Sequence, residues 1–287
     1  MIYGFMKTYR STFPVERMAI ALGVTRSGFY SWQKRKPSER NRETMRLDVK
    51  IRSIYDSHRG RCGSPKITKD LHDQGHHFSR KRVARRMRIM GIKAKTVKKY
   101  RVTTDSKHSY PIAPNLLNRQ FTVNEPNKVW VTDITYVKTR VGWRYLAVFI
   151  DLFSRIVVGW AVKDTLDASL VLDALQSAIW RRRPPAGLMV HSDRGVQYAC
   201  DAFRTQLASK GFIQSMSRKG NCWDNAVAES FFHILKTELI YLSTLTDDID
   251  TLKQIFEYIE LYYNRKRRHS AIAYKTPAEW EFIKQCA

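Results

Sequence analysis

The sequence predicts an α/β domain with a mixed sheet flanked by helices, preceded by an all-α basic region. Three observations carry this prediction. Lysine and arginine are concentrated in the first part of the chain, and apolar residues there recur at helical spacing. In the rest of the chain, runs rich in valine and aromatic residues alternate with amphipathic helices. We therefore divide the 287 residues into segments 1–46, 47–112 and 113–287.

The net charge of +25 is the first indication of a partner. Residues 1–112 hold 28 basic and 8 acidic residues, whereas residues 113–287 hold 23 and 18. Basic charge spread along folded-looking sequence attracts a polyanion through counterion release. A merely solvated basic surface is the alternative, but the concentration of charge in the front segments favours nucleic acid.

Composition excludes several classes of protein. The longest apolar run, Tyr145–Ile150, is too short to cross a bilayer. The first thirteen residues have no sustained apolar core and so do not resemble a secretory signal. The cysteines at positions 62, 200, 222 and 286 form no CxxC pair. We expect a cytoplasmic protein with no membrane partner and no disulfide framework.

Residues 1–46 contain helix-turn-helix spacing. A first amphipathic helix ends at Gly23, where glycine permits a left-handed turn, and Thr25 or Ser27 caps a second helix. That second helix would present Arg26 and Lys34 to a DNA groove. A plain helical hairpin is the alternative interpretation.

Residues 47–112 are predicted to form a second basic, helix-turn-helix-like unit followed by a linker. Ser79 caps a helix whose apolar stripe begins at Val83. Basic residues cover the rest of this helix, which predicts contact with phosphate through Arg82, Arg85 and Arg86.

Two further features of this unit bear on its interpretation. Cys62, His72, His76 and His77 match no standard tetrahedral spacing, so zinc is not predicted there. Thr103–Asn118 contains two prolines and few periodic apolar residues, which is typical of a linker.

Three acids stand out in residues 113–287. The segment Asn127–Lys138 reads as a strand with Val131 and Asp133 on one face. Aspartate is unfavourable in a strand centre, so Asp133 has either a functional role or an edge position facing water. Asp193 follows a short strand at its carboxyl end, where α/β sheets gather their sites. Glu229 lies on a helix, off its buried stripe.

The order of elements is three antiparallel strands, helix, strand, helix, strand, helix. This is the ribonuclease-H-like arrangement, in which the first strand is central and the strand before Asp193 lies beside it. Asp133, Asp193 and Glu229 could then reach one small volume. Packed carboxylates raise each other's pKa unless cations hold them, and oxygen ligands without His or Cys suit Mg²⁺ or Mn²⁺. Two such ions can promote phosphodiester chemistry.

Several residues near these acids need separate interpretation. Asp151 ends the second strand and is either a rival ligand or part of a turn, and His191 is expected to form hydrogen bonds without catalysing. Lys236 lies seven residues after Glu229, on the same helix face, and is predicted to contact phosphate. A second basic cluster is predicted to contact DNA, with a solvated charge run as the alternative: Arg265, Lys266, Arg267, Arg268 and His269.

These residues carry a family resemblance. The segments WVTDITYV, HSDRGVQY and NCWDNAVAESFFHILKTEL resemble the three catalytic blocks of bacterial insertion-sequence transposases with a retroviral-integrase-type core. Asp193 and Glu229 are separated by 35 residues, as in the family's D,D(35)E signature, and Lys236 matches its basic residue. The tail YIELYYNRKRRHSAIAYKTPAEW resembles the closing motif. The chain is most similar to second-frame (OrfB) products, over essentially its whole length.

The resemblance implies a DNA transposase with Mg²⁺, replaceable by Mn²⁺, at Asp133, Asp193 and Glu229. Water would cleave at an element end, and the freed 3′-OH would attack another phosphodiester. The implied partners are double-stranded DNA (terminal inverted repeats and target), other copies of the chain, and an upstream-frame protein or fusion segment. The implied location is the bacterial cytoplasm, at the nucleoid. The alternatives are a ribonuclease-H-like nuclease that cuts without joining and a non-enzymatic DNA-binding regulator.

Overall fold

The computed structural model describes residues 2–95 and 109–285. Residues 103–108 of the predicted linker and Cys286 lie outside the described residues. The described helices are α1 (Ile2–Tyr9), α2 (Val15–Ala21), α3 (Arg26–Lys34), α4 (Glu39–Ser57), α5 (Ser64–Asp73), α6 (Arg80–Ile89), α7 (Ala168–Arg182), α8 (Val196–Ala199), α9 (Asp201–Ser209), α10 (Ala226–Leu235), α11 (Asp248–Phe256) and α12 (Pro277–Gln285). The strands are β1 (Val129–Thr139), β2 (Gly142–Asp151), β3 (Val157–Lys163), β4 (Met189–Ser192) and β5 (Ile213–Met216). Within the described ranges, no helix combines the length and apolar character needed to cross a membrane.

Helices α1 to α3 form the first unit. The turn between α2 and α3 passes through Gly23 at φ +63°, the left-handed conformation expected there. Thr25, and not Ser27, caps α3, because its hydroxyl oxygen accepts a hydrogen bond of 3.1 Å from the amide of Gly28. Helix α1 was not predicted, and its buried Met6 completes a small core with Phe29.

Helices α4 to α6 form the second unit around a core that includes Leu47, Ile67 and Val83. Helix α4 begins at Glu39, because the hydroxyl of Ser38 accepts a hydrogen bond from the amide of Asn41. It therefore crosses the predicted boundary between residues 46 and 47. The predicted cap of α6 is confirmed, since the Ser79 hydroxyl accepts from the amide of Arg82 at 3.2 Å.

Five strands form one mixed sheet in the order β3-β2-β1-β4-β5. β1, β2 and β3 pair antiparallel, whereas β4 is parallel to β1 and β5 is parallel to β4. The first strand is therefore central, with the strand that precedes Asp193 at its side. The predicted fold class is confirmed: a ribonuclease-H-like mixed sheet flanked by helices and preceded by a helix-turn-helix region.

The central strand alternates between two cores. Trp130 points to the layer that contains α7, whereas Val131 points to the layer that contains Phe231 of α10. By this alternation Asp133 shares the α10 face with Val131.

Two helices of the catalytic half change their hydrogen-bond pattern near their carboxyl ends. Helix α10 continues as a π turn over Lys236–Ile240, in which the amide of Tyr241 donates to the carbonyl of Lys236. Helix α11 continues in the same way over Glu257–Tyr263. Such i→i+5 turns inside helices are rare and occur often at functional sites.

Gly159 of β3 lies close against the backbone of α7. A Cβ atom there would lie 2.5 Å from both the carbonyl oxygen of Ala174 and the amide of Ala178, in the backbone of α7. We expect Gly159→Ala to destabilise the fold by about 1–3 kcal/mol, because the helix must move outward. Gly4→Ala is the control, since open space surrounds that position. Urea unfolding compares the two, and equal midpoints would contradict the prediction.

Candidate active site

The pairing of β1 with β4 brings two of the three acids together. Val131 is the parallel partner of His191, so Asp133 and Asp193 occupy equivalent places two residues further along. Asp133 lies within β1, opposite Val148 of β2, and is fixed by this pairing. Asp193 lies just past the end of β4 and is less constrained by the sheet.

The third acid reaches the same face from a helix. Helix α10 packs against β1, with Ala228 and Phe231 fully buried. The side-chain amide of Asn225 donates 3.0 Å to the carbonyl oxygen of Thr132, the residue before Asp133. This contact ties the start of α10 to the central strand. Glu229, one turn into the helix, is half-buried beside the sheet.

The three carboxylates affect one another's ionisation. The pKa of Asp133 is raised well above its usual value, first by burial and then by the charge of Asp193, with Glu229 adding to the shift. The pKa of Glu229 is also raised, by burial and by Asp193. The protein therefore holds three acids that disfavour each other's ionisation.

Lys236 lies on the edge of this acidic group. Burial lowers the pKa of its ammonium group, and the charge of Asp133 opposes that shift. The side chain is half-buried, at the first residue of the π turn. Its ammonium group therefore lies within electrostatic range of Asp133.

The three carboxylates are chemically suitable ligands for a divalent cation. Carboxylate oxygens that repel one another are what Mg²⁺ or Mn²⁺ binds, and a cation would relieve the repulsion. As the side chains stand, however, no three His, Cys, Asp or Glu residues in ranges 2–95 and 109–285 are arranged to hold a metal ion. One oxygen of Asp133 accepts from the amide of Ile134, and one of Asp193 accepts from that of Gly195.

The raised pKa of Asp133 has a consequence for stability. A carboxyl group whose folded pKa exceeds its unfolded pKa favours folding at low pH, and that contribution is lost as the pH rises through the folded value. Asp133→Asn, which stays neutral, should therefore raise Tm at neutral pH in EDTA. Each kcal/mol gained corresponds to roughly 2–4 °C.

Differential scanning calorimetry at acidic and neutral pH measures this effect. At acidic pH the gain should vanish, because wild-type Asp133 is then protonated. Mg²⁺ should stabilise the wild type more than the variant. A lower Tm for the variant at neutral pH in EDTA would contradict the prediction.

Asp151 and His191 form hydrogen bonds that stabilise the fold. The Asp151 carboxylate is fully buried and accepts hydrogen bonds from the amides of Asn127 and Phe153, so it closes a turn. His191 contacts the hydroxyl of Ser215 at 2.9 Å, and burial lowers its pKa to about 4. The histidine is therefore neutral at physiological pH.

A buried aspartate that the sequence did not single out for this role organises the loop before α10. Asn225 occupies the N-cap position of α10, but its side chain makes no capping hydrogen bond. Instead, the Asp224 carboxylate is fully buried and accepts hydrogen bonds from Arg218, Arg119 and Asn115. These partners are distant in sequence or lie in loops, so periodicity could not reveal them.

The predicted DNA-contact residues of the front half divide into two groups. Arg26, Lys34 and Arg85 are exposed. Arg82 is paired with Glu43 at 2.7 Å, and Arg86 holds Asp48 through two hydrogen bonds of 2.8 and 2.6 Å. The last two arginines therefore join α6 to α4 as well as carrying charge.

The predicted basic cluster near the carboxyl end needs correction. Arg265 is exposed, but Arg268 is buried and paired with Asp70 and Asp73 of α5. His269 is also buried, and desolvation lowers its pKa to about 2. As placed, Arg268 and His269 do not present a charge to DNA, because tertiary packing has turned them inward.

Comparison with known proteins places this chain in a family. The profile of an HTH-like domain matches residues 40–100, and two integrase core domain profiles match residues 123–222 and 210–277. "Transposase InsF for insertion sequence IS3A" of Escherichia coli (strain K12) is 39% identical over 283 residues, which cover 98% of each chain. The chain belongs to the insertion-sequence transposases.

Other similar proteins were found for this transposase. The "Insertion element IS600 uncharacterized 31 kDa protein" of Shigella sonnei is 40% identical over 91% of the present chain and 96% of its own. Among solved structures, the simian T-cell lymphotropic virus intasome in complex with a PP2A regulatory subunit has a TM-score of 0.48 at 19% identity, covering 80% of this chain and 74% of that one. The HTLV-2 integrase catalytic core domain in complex with magnesium has a TM-score of 0.42 at 21% identity, covering 55% and 97%.

Family membership establishes what the chain does in general terms. It is a transposase with an integrase core, a polynucleotidyl transferase that acts on DNA. The predicted family and enzyme class are thereby confirmed.

Proposed function

We propose that Asp133, Asp193 and Glu229 are the catalytic, metal-binding residues of this transposase, acting with Mg²⁺ or Mn²⁺ in DNA cleavage and 3′-OH strand transfer. The observation that carries the proposal is the mutual electrostatic effect of these three acids, from two adjacent strands and one helix. When bound, a divalent ion supplies Lewis-acid activation of the attacking and leaving oxygens.

The side chains have distinct parts in this proposal. Asp133 lies within the central strand and is the most rigidly held of the three acids. Asp193 approaches it from the end of β4, and Glu229 approaches it from helix α10. Lys236, at the edge of the acids, would bind a DNA phosphate and offset the charge of its oxygens. In joining, the 3′-hydroxyl of one strand loses its proton as its oxygen bonds to phosphorus. The bond from that phosphorus to the 3′-oxygen of the other strand breaks, and this leaving oxygen takes up a proton.

We propose that the DNA partners are the terminal repeats of the element and the target duplex. Exposed Arg26, Lys34, Arg85 and Arg265 would bind phosphates by charge. Because an element has two ends, at least two copies of the chain would act on one DNA complex, with an upstream-frame segment as a further partner.

A strand-transfer assay tests the proposal. The substrate is a duplex with a pre-cleaved 3′-OH end, taken from the DNA that flanks the gene, and a supercoiled plasmid serves as target. We expect joined products with Mg²⁺ or Mn²⁺ and none with EDTA. Plasmid nicking without joining would indicate a nuclease, and DNA binding without either reaction would indicate a regulator; both outcomes would contradict the proposal.

A further inference from the structure

The helix-turn-helix-like unit and the catalytic domain meet at a buried charged interface. Five residues form what we call the junction cluster: Arg61, Lys66, Glu238, Tyr258 and Arg267. The first two belong to the segment around α5, and the other three belong to the two helices that end in π turns and to the loop after them. This cluster has no part in the carboxylate chemistry described above.

Glu238 is the centre of the cluster. It is 7% exposed and lies within the π turn that continues α10. Arg267 donates to its carboxylate through both Nε and Nη2, at 2.9 to 3.0 Å, and the Tyr258 hydroxyl donates at 2.9 Å. A buried carboxylate is tolerated only with such complete pairing.

The helix-turn-helix-like unit also contacts Glu238, from the opposite side. The Lys66 ammonium lies 3.8 Å from Glu238 Oε1, and Arg61 Nε donates 3.0 Å to the Glu238 carbonyl oxygen. The Arg61 guanidinium also lies over the rings of Tyr258 and Tyr262, with its carbon 5.2 and 4.7 Å from their centres. Both the side chain and the backbone of Glu238 therefore contact the other unit.

The same helix carries the proposed catalytic groups. Ala226 to Ile240 is one uninterrupted helical segment that holds Glu229, Lys236 and Glu238. Glu238 lies nine positions after Glu229, about 13 Å along the axis. A change in the packing of the π turn therefore rotates or shifts the whole helix. That helix presents Glu229 and Lys236 to Asp133.

We propose that Glu238 is a positioning residue for strand transfer: it fixes the π-turned end of the catalytic helix against the helix-turn-helix-like unit and so sets the placement of Glu229 and Lys236. The inference rests on the proposed function of Glu229. It links the DNA-binding unit to the catalytic centre through contacts that touch neither DNA nor the reacting atoms.

A second tie between the units provides a matched control. Asp73 of α5 contacts Arg268 at 2.6 Å and is partly exposed, but it has no contact with the catalytic helix among those described. If interface strength alone mattered, Asp73→Asn and Glu238→Gln would affect the reaction alike. If positioning matters, only the second changes the catalytic step.

The experiment uses the full chain and the strand-transfer assay given above, with Tm measured for each variant. We expect Glu238→Gln to lower kcat at least about tenfold, with KM for the DNA end within about twofold, because misplacement of a reacting group affects the chemical step. Lys66→Met leaves the pair of Glu238 with Arg267 in place and should lower kcat less. Asp73→Asn should retain the wild-type kcat.

Equal kcat losses for Glu238→Gln and Asp73→Asn, or a change confined to KM, would overturn the inference. If Glu238→Gln does not fold, Lys66→Met decides, and a wild-type kcat for it overturns the positioning role. Glu229→Gln is measured in parallel. Joining by that variant refutes the proposed function, whereas its inactivity beside a fully active Glu238→Gln refutes only the positioning role.

Discussion

Asp193→Asn should abolish joining of a 3′-OH DNA end, and Asp133→Asn and Glu229→Gln should do the same. We expect kcat to fall at least about 10³-fold, equivalent to about 4 kcal/mol of transition-state stabilisation. Each substitution keeps the size of the side chain and removes one negative oxygen ligand. Binding of duplex DNA should persist, because the exposed basic residues lie elsewhere and a negative charge has been removed from a DNA-facing site.

Asp201→Asn is the control for these three variants. Asp201 is an exposed carboxylate of the same domain, paired with Arg204 three residues along α9. It should join DNA at the wild-type rate. Gel-shift and strand-transfer measurements on the same protein samples separate binding from catalysis. Wild-type joining by any one of the three variants would contradict its catalytic assignment.

Asp224→Asn should cost about 2–4 kcal/mol of unfolding free energy, because an amide nitrogen would face the donors of two arginines. The cost stays below that of a fully buried pair, since the Arg119 and Arg218 side chains are 45% and 49% exposed. The same donors hold the pKa of Asp224 far below its usual range, with Arg218 the main cause. Its stabilising effect is therefore present above the unfolded pKa and is lost only as the pH falls towards the folded value.

This substitution should also impair catalysis, because the adjacent Asn225 ties α10 to Thr132. Glu125→Gln is the control, since Glu125 pairs with Lys128 at the surface and should change stability little. Urea unfolding and strand transfer measure the two effects. An Asp224→Asn variant as stable as Glu125→Gln would show that the buried carboxylate does not hold the loop.

Local signals in the sequence predicted much of this architecture. The alternation around Asp133 identified the central strand, and Thr25 and Ser79 fixed the starts of two helices, because capping depends on residues only three positions apart. The spacing of Asp193 and Glu229 added the family pattern. The sheet order then followed from the order of elements along the chain.

Contacts between distant segments could not be predicted in the same way. Arg268 and Asp70 are 198 positions apart, so a basic run that was predicted to contact DNA is in part an interface within the protein. The π turn at Lys236–Ile240 likewise depends on surrounding contacts, and helical periodicity does not reveal it. The start of α4 at Glu39 could not be predicted from hydrophobic periodicity, because apolar residues are sparse in its first two turns.

The junction also orders events during synthesis of the chain. Arg61 meets Glu238 across 177 positions, and His58 meets Tyr262 across 204. At translation rates of about 5–20 residues per second, roughly 10–40 s separate the emergence of the helix-turn-helix-like unit from that of its docking partner. The front of the nascent chain lacks these contacts during this interval, and the joined arrangement of the two units forms only as translation finishes.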